Sequence, residues 1–139
     1  MESVLYTPKA FAKLTEDQLR LLIGEGGCGA GEFGDYLVPD TLLGLDIKPC
    51  CQRHDYMYSV GVYAEDKKLA DMAFLNNMTR AILEAGGEYE QIFARLKMAK
   101  LYYNFVKWFG DEAFWGEKFE QAKDHDKWLR EHIDEGVMV

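Results

Sequence analysis

The stretch Cys50-Cys51-Gln52-Arg53-His54-Asp55-Tyr56-Met57-Tyr58 brings a histidine, a carboxylate and a tyrosine together on one short segment. At helical spacing Ile47, Cys51, His54 and Tyr58 share a stripe, so the imidazole points inward with apolar neighbours, while Asp55 leaves about 100° further round. A base and an anionic ligand thus leave one turn in different directions. Asp71 is the second unusual carboxylate: with Leu75, Met78 and Ile82 it repeats at i, i+4, i+7 and i+11 and occupies a seam otherwise held by apolar residues. Such a carboxylate needs a buried partner. If the two segments lie side by side, His54 meets Asp71, and an imidazole oriented by a carboxylate is a general base. The chain has no Gly-x-Ser-x-Gly elbow and no separate signature for a cysteine nucleophile, so water is the expected attacking species.

The elements that must position these groups follow from the same pattern. Thr15-Glu16-Asp17-Gln18 is a capping box, predicting a helix from about Glu16 to Ile23 that ends at Gly24. Between Gly24 and Gly34 the chain places six glycines in eleven residues, an irregular loop able to turn its carbonyls inward. Those carbonyls and Asp55 would form an all-oxygen site suited to a hard cation such as calcium, able to polarise a substrate carbonyl. Val38-Pro39-Asp40 continues the irregular region, and a helix beginning near Asp46 to Pro49 carries His54 and stops near Gly61. A second long helix is predicted from about Glu65 to Ala85, with Gly86-Gly87 as its stop, giving an antiparallel pair. A third runs from about Tyr89 to Phe109, with Ile92, Leu96, Ala99, Tyr103 and Val106 on one face. The charged tail after Gly110 gives a weaker helical signal; the aromatics Tyr102, Tyr103, Phe105, Trp108, Phe109, Phe114 and Trp115 read mostly as core or a packed tail, with a minority available as an apolar rim against a lipid surface.

Composition sets the outer limits. At 139 residues and 48% hydrophobic the chain fits a single domain. Its apolar runs are far short of the roughly 20 residues a membrane-spanning helix needs, so a soluble protein is expected. The first residues carry no basic head followed by an apolar segment, so no Sec-type signal is visible; cytoplasm, virion and signal-independent secretion all stay open. A net charge of −8 disfavours nucleic acid and strong attraction to anionic lipid. Three cysteines leave at least one thiol unpaired in a monomer.

The His54 segment resembles the CCxxHDxxY helix of the secreted phospholipases A2. Gly27-Cys28-Gly29-Ala30-Gly31 is similar to that family's calcium loop, and Ala70-Asp71-Met72-Ala73-Phe74 to the helix that supplies the partner of its histidine. The resemblance spans residues 26–78 and is nearest the minimal microbial and viral forms, with 32–47 read as an insertion. It implies a mainly α, phospholipase A2-like fold in which His54 is the general base, Asp71 orients it and Tyr58 supports Asp71. Ca²⁺ would be held by Asp55 and the carbonyls of Gly27, Gly29 and Gly31. The reaction implied is hydrolysis of the sn-2 ester of a glycerophospholipid at a membrane or micelle surface, with peripheral attachment. The family's bridges further imply a Cys28–Cys51 disulfide and a free, buried Cys50.

Two other readings compete. The same fold can bind calcium or lipid without turnover as part of a larger assembly; retention of both His54 and Asp71 favours catalysis. Cys28, Cys50, Cys51 and His54 also match the ligand count of a structural zinc site, although the usual CxxC spacing is absent.

Overall fold

The computed structural model of the protein describes residues 5–23 and 39–116. These residues are mainly α-helical, with six helices and one two-stranded hairpin among them. The helices are α1 (Lys9–Ala12), α2 (Glu16–Ile23), α3 (Lys48–Val60), α4 (Ala64–Ala85), α5 (Tyr89–Phe109) and α6 (Asp111–Trp115). The capping box predicted for α2 forms: the Gln18 N–H donates to Thr15 Oγ1 at 3.1 Å and the Thr15 N–H to Gln18 Oε1 at 3.0 Å.

Within the stretch read as an insertion, residues 41–46 form a hairpin. Strands β1 (Thr41–Leu42) and β2 (Leu45–Asp46) pair antiparallel, Thr41 opposite Asp46 and Leu42 opposite Leu45. Leu43 and Gly44 between them take positive φ, 48° and 85°, as a tight primed hairpin turn demands. Two side chains of α5 fasten this hairpin: the Tyr102 hydroxyl donates to the Thr41 carbonyl at 3.1 Å, and Arg95 to the Leu43 carbonyl at 3.0 Å. The face predicted for α5 packs inward: Ala99 is buried, and Ile92, Leu96 and Val106 pack against the core. Arg95 and Tyr102 are buried with Ala99, whereas Tyr103 is half-buried beneath the Lys100 ammonium at 5.0 Å from its ring. Tyr102 can be buried because its hydroxyl finds an acceptor on the hairpin.

Helix α3 starts directly after the hairpin, with Pro49 in its first turn, where a missing N–H costs nothing. Its predicted stripe is correct: Ile47, Cys51, His54 and Tyr58 are all buried. The link from α3 to α4 is residues 61–63, closed by Asp66, whose Oδ2 accepts the N–H groups of Val62 and Tyr63 at 2.9 Å each. Gly61 is required there by space: a Cβ would sit 2.7 Å from the Phe114 ring. Helix α4 ends as predicted at Gly86 and Gly87, both with positive φ.

The core lies where α3, α4 and α5 meet, around Ile47, Cys50, Phe74, Met78, Ile82 and Ala99. A second small cluster joins Tyr58, Ala70 and Phe114. The segment before α1 is tied to this core by backbone recognition. Asn77 accepts the Tyr6 N–H at 2.6 Å and returns a bond to the Tyr6 carbonyl at 3.1 Å. Arg53 donates to Thr7 Oγ1 at 2.8 Å and lies over the Phe11 ring at 5.0 Å. Among the described residues no helix is long and apolar enough to cross a membrane.

Cys51 is disulfide-bonded and Cys50 is a free, buried thiol. Cys28, the partner expected for Cys51, lies outside the described residues. The bridge removes the zinc reading, because an oxidised sulfur offers no thiolate to a metal. Among the described residues no group of three or more His, Cys, Asp or Glu side chains is placed to hold an ion.

Candidate active site

One turn of α3 and one turn of α4 bring His54, Tyr58 and Asp71 together. His54 Nε2 lies 2.8 Å from Asp71 Oδ1, and the Tyr58 hydroxyl donates to the same oxygen at 2.6 Å. The pair is withdrawn from solvent: 7% of His54 and 2% of Asp71 remain exposed. The His54 ring is held between Tyr58, at 4.1 Å between centroids, and Phe74, at 4.7 Å. Sequence reasoning placed all three polar groups on facing stripes, and the structure joins them directly.

The electrostatics fix the protonation states. Burial disfavours charge on Asp71, but the hydrogen bonds from His54, Lys67 and Tyr58 outweigh it and hold the carboxyl below its ordinary range. Burial, reinforced by the Lys67 charge, holds His54 below the usual histidine value even though Asp71 pulls the other way. A carboxylate facing Nε2 selects the tautomer with the proton on Nε2, leaving the lone pair of Nδ1 to accept a proton. Tyr58 is pushed up by burial and by Asp71, so it stays a neutral donor.

Asp55 leaves α3 in another direction, as its position one residue beyond His54 requires. The residue is half-buried, yet its Oδ2 is wholly buried and meets no donor among the described residues. Burial alone pushes its carboxyl up to about 8. A buried carboxylate oxygen that no described residue meets with a donor fits a cation ligand, because a cation supplies the compensating charge. Gly27, Gly29 and Gly31, the other expected ligands, lie outside the described residues.

Two contributors were missed from sequence. Lys67 is buried to 8% exposure and donates to Asp71 Oδ2 at 2.9 Å. The signal was present, since Lys67 stands four residues before Asp71 and so on the same face. Gly110 is the other: a Cβ there would sit 2.6 Å from the Tyr58 hydroxyl. With Phe114 edge-on to the Tyr58 ring at 5.2 Å, the start of α6 forms the wall behind the tyrosine. A groove of about 260 Å³ lined by Tyr6, Tyr56, Met57, Val60 and Leu69, among others, includes neither member of the His54–Asp71 pair. The chain matches no family model, no curated protein and no solved structure.

Proposed function

We propose that this protein is a calcium-dependent phospholipase A2 that hydrolyses the sn-2 ester of glycerophospholipids with a histidine-activated water. The observation that carries the reading is the sharing of Asp71 Oδ1 by His54 Nε2 and Tyr58, one residue away from the orphaned Asp55 Oδ2. On this reading α3 and α4 are the antiparallel pair of a phospholipase A2-like fold.

His54 Nδ1 takes a proton from water as the water attacks the ester carbonyl, and Asp71 stabilises the imidazolium that forms without itself taking the proton. Tyr58 keeps the Asp71 carboxylate from rotating away from the ring. Asp55, together with the loop carbonyls of Gly27, Gly29 and Gly31, would hold Ca²⁺. Calcium bound there supplies a positive centre that polarises the ester carbonyl and offsets the negative charge developing on its oxygen. The proton on His54 then passes to the departing glycerol oxygen, which regenerates the base.

A lipid surface is the partner this chemistry requires. The outer side of α5 offers one kind of contact, with Phe93, Leu101 and Trp108 exposed and Lys97, Lys100 and Lys107 between them. Such amphipathic side chains suit a headgroup layer, and their local positive charge runs against the net charge of the chain.

Release of sn-2 fatty acid from phosphatidylcholine and phosphatidylglycerol vesicles tests the reading, in millimolar calcium or with chelator, for wild type and Asp55→Lys. Calcium-dependent release that the variant loses is the expected result. No release from either lipid while calcium still binds would reduce the protein to a calcium-binding module.

The state of Asp55 gives a second expectation. A cation must displace the proton held on this carboxyl, so calcium affinity is expected to weaken about tenfold per pH unit below about 8, with one proton released per ion. Calorimetric titration in two buffers of different ionisation enthalpy reads that proton, and Asp55→Asn should abolish both effects. An affinity flat between pH 6 and 8 would separate Asp55 from the ion. In the metal-free protein the sign for stability follows. Because the folded value lies above the ordinary 3.8, this group's stabilising contribution is complete below that value and is lost as the pH rises through about 8.

A further inference from the structure

Lysine is rarely buried, because withdrawing an ammonium from water costs several kcal/mol unless every donor finds a partner. Lys67 meets that condition. Its three N–H groups have three acceptors: Asp71 Oδ2 at 2.9 Å, the Val106 carbonyl at 3.1 Å and the Lys107 carbonyl at 3.3 Å. Asp111 Oδ1 adds a longer contact at 3.5 Å from a side chain that is 71% exposed. Val106 and Lys107 belong to the last turn of α5, where the helix dipole is negative; the Val106 carbonyl also accepts the Gly110 N–H at 2.8 Å, so Lys67 shares it. The ammonium is therefore fixed from behind by one helix and presses on the carboxylate of another.

The consequence for Asp71 is geometric. A carboxylate turns about its last bond, so two donors on one oxygen do not determine which oxygen faces the imidazole. With Lys67 on Oδ2 and His54 and Tyr58 both on Oδ1, the two oxygens are no longer interchangeable.

We propose that Lys67 is a positioning residue for the hydrolytic reaction: anchored on the carbonyl end of α5, it holds Asp71 Oδ2 so that Oδ1 is presented to His54. The proposal rests on the phospholipase reading given above. It links catalysis to the α5–α6 junction, a part of the chain outside the segment that resembles the phospholipases.

The test compares wild type, Lys67→Met and Lys67→Arg on the same calcium-loaded vesicles, with circular dichroism and calcium titration to establish that each variant is folded and binds the ion. Met keeps the length and loses the charge, so kcat is expected to fall about 10–100-fold with KM within about twofold of wild type. Arg restores a cation and donors and is expected to recover most of that loss. If Met at position 67 does not fold, Lys67→Gln, which keeps two donors without charge, takes its place and is expected to show the same fall in kcat. A folded neutral variant with wild-type kcat, or an Arg variant no better than the neutral one, overturns the proposal while leaving the phospholipase reading intact. A wild type without calcium-dependent turnover overturns both.

Discussion

If the proposed phospholipase activity holds, His54→Gln is expected to lower turnover by about 10²–10⁴-fold, the range that removal of a positioned general base produces, while leaving calcium binding unchanged. The structural argument is that the exchange is nearly neutral for the fold. His54 is buried and held below the ordinary histidine range, so the native site contains an uncharged ring and no charge is lost on substitution. A glutamine amide can still donate to Asp71 Oδ1, so the acceptor that His54 satisfied at 2.8 Å keeps a partner. What the amide lacks is a lone pair basic enough to take a proton from water. Asp55 is untouched, and the variant should bind calcium with wild-type affinity. Initial rates of fatty acid release with a calcium titration on the same sample decide the matter. Activity within about tenfold of wild type would remove His54 as the base.

Asp71→Ala is expected to be the most damaging single change to stability, about 3–5 kcal/mol, because it leaves the buried ammonium of Lys67 without its counter-ion. The Tyr58 hydroxyl and His54 Nε2 lose their shared acceptor in the same step. Only the α5 carbonyls and the exposed Asp111 would then face the charge. If the cost is the stranded charge, removing that charge should recover it. Adding Lys67→Met to the Asp71→Ala background is expected to return much of the loss, read as the midpoint of urea unfolding. A single variant that costs less than about 1 kcal/mol would mean that the ammonium is solvated and the network is not the tie between α3, α4 and α5 described above.

Much of this arrangement was legible in the chain, for reasons that differ by element. The bounds of α2 and α5 follow from a capping box and from flanking glycines, signals that are local and stereochemical. Asp71 revealed itself by interrupting an apolar seam, and its partner followed because α3 had one buried polar stripe to offer. The hairpin at residues 41–46 was hidden because each strand has two residues, too few for an alternating pattern. Its only cue was the Gly44 turn. Tyr102 and Tyr103 flank the same helical stripe and both read as core; a distant carbonyl, that of Thr41, is what buries the first and leaves the second half-buried. Lys67 was missed for a related reason: a lysine four residues from an aspartate usually forms an exposed pair, and its burial depends on α5, whose carbonyls no local pattern brings near.

The neighbouring cysteines of α3 carry a consequence for how the chain keeps its covalent pattern. Cys50 and Cys51 are adjacent, one reduced and one bridged, the arrangement in which sulfur exchange would seem easiest. Exchange proceeds by thiolate attack, and burial has pushed the Cys50 thiol up to about 12. At neutral pH roughly one molecule in 10⁵ would carry the attacking anion, on the proportion that such a value sets. The fold that seals Cys50 against the core also fixes which of the two sulfurs stays bonded, and a native chain resists disulfide shuffling until α3 itself comes apart.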